Sequence, residues 1–209
     1  MTKGLIRSLA VLAAVVLAAL GAACIRAPQP AAAPPGGGVR IAIMPLEDFG
    51  EEPGGVFQVQ GALERQLTRL GYGVVDEAEL KRLLLRERVR RTGSVGRQLA
   101  SLVGQETGAA LILVGAVTQY RGGLDPCASV TSRLLEARTG RIVWTGSASA
   151  TGRQYETVLG LGRVRDASRL TELVVARMLG ALPAAGTAAQ FLTPGPVPEP
   201  AARPAEVAP

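Results

Sequence analysis

Residues 109–117 read Ala109-Ala110-Leu111-Ile112-Leu113-Val114-Gly115-Ala116-Val117, without a single charged side chain. A strand with one wet face alternates apolar and polar residues. A continuous apolar run bounded by turn signals is instead the pattern of a central strand buried on both faces. That reading decides the fold class, because such a strand needs covering elements on both sides. Upstream, Ser94 can cap a helix that turns Val95, Leu99, Leu102 and Val103 inward and stops at Gly108. Before it, Asp76-Glu77-Ala78-Glu79 has the form of a capping box opening a helix that buries Leu80, Leu83 and Leu84.

Further back, Val56, Val59, Leu63, Leu67 and Leu70 recur at helical spacing, and Gly71 ends that helix. Tyr72–Val75 is a short strand, and Val39–Leu46 is another, ended near Pro45. Downstream of the buried run, Ser129–Ala137 and Arg141–Ala150 form a strand pair around the turn Arg138-Thr139-Gly140. Val164, Ala167, Leu170, Leu173 or Val174, Met178 and Leu182 define a last helix. The sum is a single α/β (α+β) domain over residues 39–182, a mixed β-sheet with helices packed on it. From Pro183 to residue 209 the chain is Ala- and Pro-rich without periodicity and is expected to be disordered.

Composition narrows the chemistry. The 209 residues include no histidine, which removes Ser-His-Asp and Cys-His catalysis and His-ligated zinc. The net charge of +6 comes almost wholly from arginine, and aromatics are only 3%, too few for the stacking platforms of nucleic-acid binders. We therefore expect no enzyme, no cofactor, no metal site and no nucleic-acid partner.

The first residues have the order of an export signal over 1–23. Lys3 and Arg7 precede an apolar run from Leu9 to Leu20, and Gly21-Ala22-Ala23 stand before Cys24. The run is roughly a dozen residues, short of the ~20 that span a bilayer. An uncleaved anchor and an ordinary signal with a chance cysteine are the alternatives. Leu20-Gly21-Ala22-Ala23-Cys24 resembles the lipobox of bacterial lipoproteins, with its leucine one place further from the cysteine than usual. That resemblance implies lipidation of Cys24 and anchorage in a membrane, and Ile25 after the cysteine resembles outer-membrane sorting if the cell is Gram-negative, with the domain facing the periplasm. Residues 24–38, with APQPAAAPPGGG from Ala27, read as a linker reaching up to roughly 3 Å per residue.

Four segments carry a second resemblance. Arg40–Leu46, Thr68–Asp76, Ala110–Val117 and Leu134–Trp144 resemble, in this order, the opening strand, the helix-to-strand passage, the buried strand and the D-A-x-T-G-x-V-V-W hairpin of CsgG-like and LpoB-like envelope lipoproteins. The resemblance covers most of residues 39–182. It implies a non-catalytic, membrane-anchored envelope protein that binds a secretion, surface-fibre or cell-wall-synthesis machine, or assembles with itself. The alternative is an oligomeric CsgG-like export channel subunit in the outer membrane. Each spanning strand needs ~9–11 residues, and Thr118–Ala128 and Gly152–Gly162 are too short for two such hairpins.

Among side chains, Arg86, Arg88, Arg90 and Arg91 are candidates for gripping an anionic or protein partner, against the plainer reading of a solvated helix face. Glu47, Asp48, Glu51 and Glu52 read as a solvated loop, Cys127 as a thiol without a nearby base, and Trp144 as a core or groove aromatic. If Cys24 carries acyl groups, the mature chain starts there. Intact mass spectrometry should find lipid mass on residue 24, and Cys24→Ser should remove both the lipid and the cleavage.

Overall fold

The computed structural model describes residues 38–89, 95–159 and 161–192. Among them are six strands and four α-helices, in the order β1 (Arg40–Ile43), β2 (Glu47–Asp48), α1 (Gly55–Arg69), β3 (Gly73–Val74), α2 (Glu77–Arg86), α3 (Arg97–Thr107), β4 (Leu111–Arg121), β5 (Cys127–Glu136), β6 (Ile142–Thr151) and α4 (Ala167–Leu179). The sheet runs β3-β1-β4-β5-β6, with β2 also on β4. β1, β2 and β3 pair in parallel, and β4, β5 and β6 form an antiparallel meander, so the sheet is mixed as expected.

β4 is the central strand that its apolar run requires. Leu111, Leu113 and Val117 point into one core, with Val59, Leu63 and Leu67 of α1 and Leu170, Val174 and Met178 of α4. Ile112 and Val114 point into a second core, with Leu80, Leu83 and Leu84 of α2 and Ala100 and Val103 of α3. On the first face α4 crosses β5 and β6 and packs on α1, where Arg65 Nε donates to Glu172 at 2.7 Å. On the second face α2 and α3 stop short of the outer hairpin, so Thr131, Arg133, Thr145, Ser147 and Ser149 are exposed.

Local chemistry sets the boundaries. The Asp76 side chain accepts from the Glu79 amide at 2.9 Å and opens α2. Ser94 lies outside the described residues, and α3 begins at Arg97 with Gly96 at its N-cap. The β5–β6 turn holds a feature the sequence hides. Glu136 is buried, and its carboxylate accepts from the Thr139 hydroxyl at 2.5 Å and from Arg138 at 3.4 Å. Gly140 has φ +70 there, and a Cβ on it would lie 2.8 Å from Arg97 Cα, so the turn needs glycine twice over.

Two segments depart from expectation. Glu47–Asp48, read as loop, forms β2 and pairs with Ala116–Val117 of β4. Residues 183–192, read with the disordered tail, contain a 3₁₀ helix (Ala185–Phe191) that buries Ala185 and Ala188. It is held by main-chain and phenol groups, with Ala185 N–H donating to Leu70 O at 2.9 Å and the Tyr72 hydroxyl to Pro183 O at 2.7 Å. Residues 193–209 lie outside the described residues.

Leu113 is fully buried on the strand that both cores share. Leu113→Ala should cost about 2–5 kcal/mol, read as a lower midpoint in urea unfolding with an unchanged slope.

Candidate functional site

In open sheets with helices on both faces, ligands enter at the carboxyl ends of the parallel strands, where the chain winds off in opposite directions. Here that point lies between β1 and β4, since α1 leads to β3 on one face while α2 and α3 lead to β4 on the other. The crevice is filled by the protein itself. β2 continues beside β4, Met44 N–H donates to Leu113 O at 2.9 Å, and Phe49 N–H donates to Val117 O at 2.8 Å. The acidic residues there are tied down locally: Asp48 accepts from Gly50 N–H at 2.9 Å and Glu52 from Gly122 N–H at 2.8 Å. Among the described residues no group of His, Cys, Asp or Glu is arranged to hold a metal ion.

Beyond this filled crevice, the same end of the domain is built from three loops pinned to one another. Gly55, at the start of α1, lies flat against Tyr120, where a Cβ would stand 2.6 Å from the ring. Burial, with Glu52 and Asp166 nearby, raises the Tyr120 phenol above its ordinary pKa, so it stays neutral. In the β4–β5 turn Asp125 accepts from both Arg153 and Arg163, and Arg163 also reaches Leu124 O at 3.2 Å. Hydrogen bonds to Arg153, joined by the charge of Arg163, hold the Asp125 carboxyl below the usual aspartate range. Gly152 N–H donates to Pro126 O at 2.8 Å and Val164 N–H to Gly152 O at 3.1 Å, so the connection from β6 to α4 is closed at its neck.

On this frame stand apolar side chains turned to solvent. Eight large hydrophobic residues are exposed among the described residues, and six of them are here: Phe49, Phe57, Leu124, Val158, Leu159 and Leu161. Val158 is 105% exposed and Leu124 86%. Single exposed hydrophobics are ordinary, but a rim of them carried by pinned loops marks a surface that gains by being covered. Burying it would contribute about 25 cal/mol for each Å² of apolar area.

The arginines singled out from the sequence are elsewhere. Arg86 ends α2 and is exposed, donating to Glu106 of α3 at 2.9 Å and to Glu87 at 3.2 Å. Those carboxylates raise its pKa further, so its charge is already met within the helical layer. Arg88 takes a left-handed conformation, φ 52, where the helix terminates and Val89 N–H returns to Leu84 O at 3.0 Å. Arg90, Arg91 and Cys24 lie outside the described residues. Cys127 is a buried free thiol, and Trp144 is half-buried against the first core.

No protein-family model matches the chain, and no curated protein sequence matches it. Solved structures do resemble it. A PelC dodecamer from Paraburkholderia phytofirmans is similar over 70% of this chain and 90% of that one, at 17% identity and a TM-score of 0.47. Lipoprotein GNA1162 from Neisseria meningitidis is similar over 54% of this chain and 82% of that one, at 21% identity and a TM-score of 0.47. The LpoB C-terminal domain from Escherichia coli is similar over 54% and 82%, at 17% identity and a TM-score of 0.41. The likeness is one of fold.

Asp125→Asn should loosen the β6–α4 connection. Because the folded pKa of Asp125 is depressed, its contribution is present above the unfolded value and lost as pH falls through the folded one. Amide exchange at Thr157 and Val164 should speed about tenfold in the variant, and the native protein should approach the same rate, relative to the rest of the chain, only below the ordinary aspartate range.

Proposed function

We propose that this protein is a non-catalytic envelope lipoprotein, held in a membrane through acyl chains on Cys24, that works by docking a protein partner on its apolar rim. The observation that carries the reading is the gathering of six exposed hydrophobic side chains at one end of the domain, five on three mutually pinned loops and Phe57 in the first turn of α1. The lipobox-like stretch before Cys24 supports the anchor, as does the segment resemblance to CsgG-like and LpoB-like proteins. Several acyl chains hold far more firmly than one, and residues 24–38 supply the reach.

The geometry favours a protein over the anchoring bilayer as what covers the rim. The linker enters at the amino end of β1, beside Gly73 and Thr107, whereas the rim lies past the carboxyl ends of β1 and β4. Eleven residues of β4 separate the two ends, about 36 Å of strand. The rim therefore lies at the opposite end of the domain from the point where the linker joins β1. Absence of histidine and the plugged crevice both favour binding over catalysis. The export-channel reading draws no support from the hairpins, since β4 and β5 are joined by a short turn and the β6–α4 connection is closed at its neck.

The test is a photo-crosslinking residue at Leu159 in living cells, with and without Val158→Ser and Leu161→Ser. A discrete protein adduct should form, fall about tenfold in the double variant and vanish when Cys24→Ala releases the chain, while the thermal midpoint of the domain stays unchanged. An adduct indifferent to both changes would sink the rim as the docking surface.

A further inference from the structure

The two edges of the sheet are unlike. The β3 edge is two residues long, and its flanks are taken by the chain's own C-terminal segment through the Leu70–Ala185 and Tyr72–Pro183 hydrogen bonds. The β6 edge is ten residues long. Its inner side pairs with β5 along its length, and among the described residues its outer side makes no bond to another main chain, only Thr151 N–H at its end donating to Gln154 Oε1 at 3.4 Å. Proteins ordinarily blunt such an edge with lysine, proline, an inward charge, a bulge or shortness. β6 reads Ile-Val-Trp-Thr-Gly-Ser-Ala-Ser-Ala-Thr, and its one irregularity is a register shift at Val143, so Trp144–Thr151 carries none of these.

We propose that β6 pairs antiparallel with β6 of a second copy of this chain, joining two sheets into one across a two-fold axis. Charge is the first argument. From Ile142 to Gly152 there is no ionisable side chain, so a copy brings no like charge to the edge, and a charged partner strand would find nothing to answer it. Side chains are the second. An unrelated peptide added to an edge draws its specificity from pockets for alternate residues. β6 carries Thr145, Ser147, Ser149 and Thr151, all exposed, beside an open hollow that Thr131, Arg133, Thr145 and Ser147 line with polar groups. Facing hydroxyl rows of this kind pair with each other across strands.

Symmetry is the third argument. Adjacent antiparallel strands related by a two-fold axis must have that axis perpendicular to the sheet, which places one residue opposite itself. An axis at Gly146 or Ser147 overlaps nearly the whole strand and sets the hydroxyl row of one copy beside that of the other. The α4 helices then stay together on the opposite face. Because the β3 edge is only two residues long and flanked by the C-terminal segment, the pairing closes at two copies and does not propagate into a fibre. The proposal uses neither the lipid anchor nor the apolar rim, so it stands or falls apart from them.

The experiment uses the full mature chain in mild detergent, sedimented over a concentration series, with intact mass recording the acyl group on the same sample. A monomer–dimer equilibrium is expected. Ser147→Cys should crosslink copy to copy under mild oxidation at least tenfold faster than Lys81→Cys on α2, with the unmodified chain as background. Ser147→Arg, at an exposed position, should weaken the dimer at least tenfold with an unchanged melting profile. A chain that remains monomeric up to about 100 µM overturns the proposal. So does a dimer or larger assembly that Ser147→Arg leaves intact, or a Ser147→Cys link no faster than the α2 control.

Discussion

Everything in this fold depends on β4 being covered from both sides. Successive side chains of a strand point to opposite faces, so Leu111, Leu113 and Val117 serve one core while Ile112 and Val114 serve the other. A strand of that kind is soluble only if each face has its own helices. α1 and α4 fill one role, and α2 and α3 the other. Its two edges impose different neighbours, β1 and β2 parallel on one side and β5 antiparallel on the other. The first half of the chain must therefore cross over through helices, and the second half can turn back tightly on itself.

The same constraint explains which parts were legible in the sequence. The apolar run at 109–117, the helical spacing from Val56 to Leu70 and the Asp76 cap are local signals of local structure, and they placed the elements in order. β2 was not legible, because Glu47 and Asp48 carry no strand signal and pair only because β1 delivers them to the flank of Ala116 and Val117. Nor was the turn at Ala185–Phe191, whose alanines show no periodicity and are held by Leu70 and Tyr72, more than a hundred residues upstream. The buried Glu136 looks like any surface acid until the hairpin folds Thr139 and Arg138 over it.

The candidate site was less legible still. Charge draws the eye to Arg86 and Arg88, yet the carboxylate that meets Arg86 comes from another helix, and the geometry of Arg88 belongs to a helix end. Val158, Leu159 and Leu161 read as ordinary hydrophobic residues, and nothing in their identity says that they face outward. The clasp of Asp125 by Arg153 and Arg163, joining segments nearly forty residues apart at its widest, and the main-chain bonds at Gly152 hold the loop carrying them clear of the core.

The position of β1 has a mechanical consequence. It lies between β3 and β4, parallel to both, and the proposed tether would join it at its amino end. A partner seated on the far rim would pull along the strand axis, not across it. Under that load the bonds from Ile41, Ala42 and Ile43 to β4 share the force in shear, all resisting at once, and cannot open one by one like a zipper. With the anchor and the rim acting as proposed, the parallel start of the sheet would bear the tension between them.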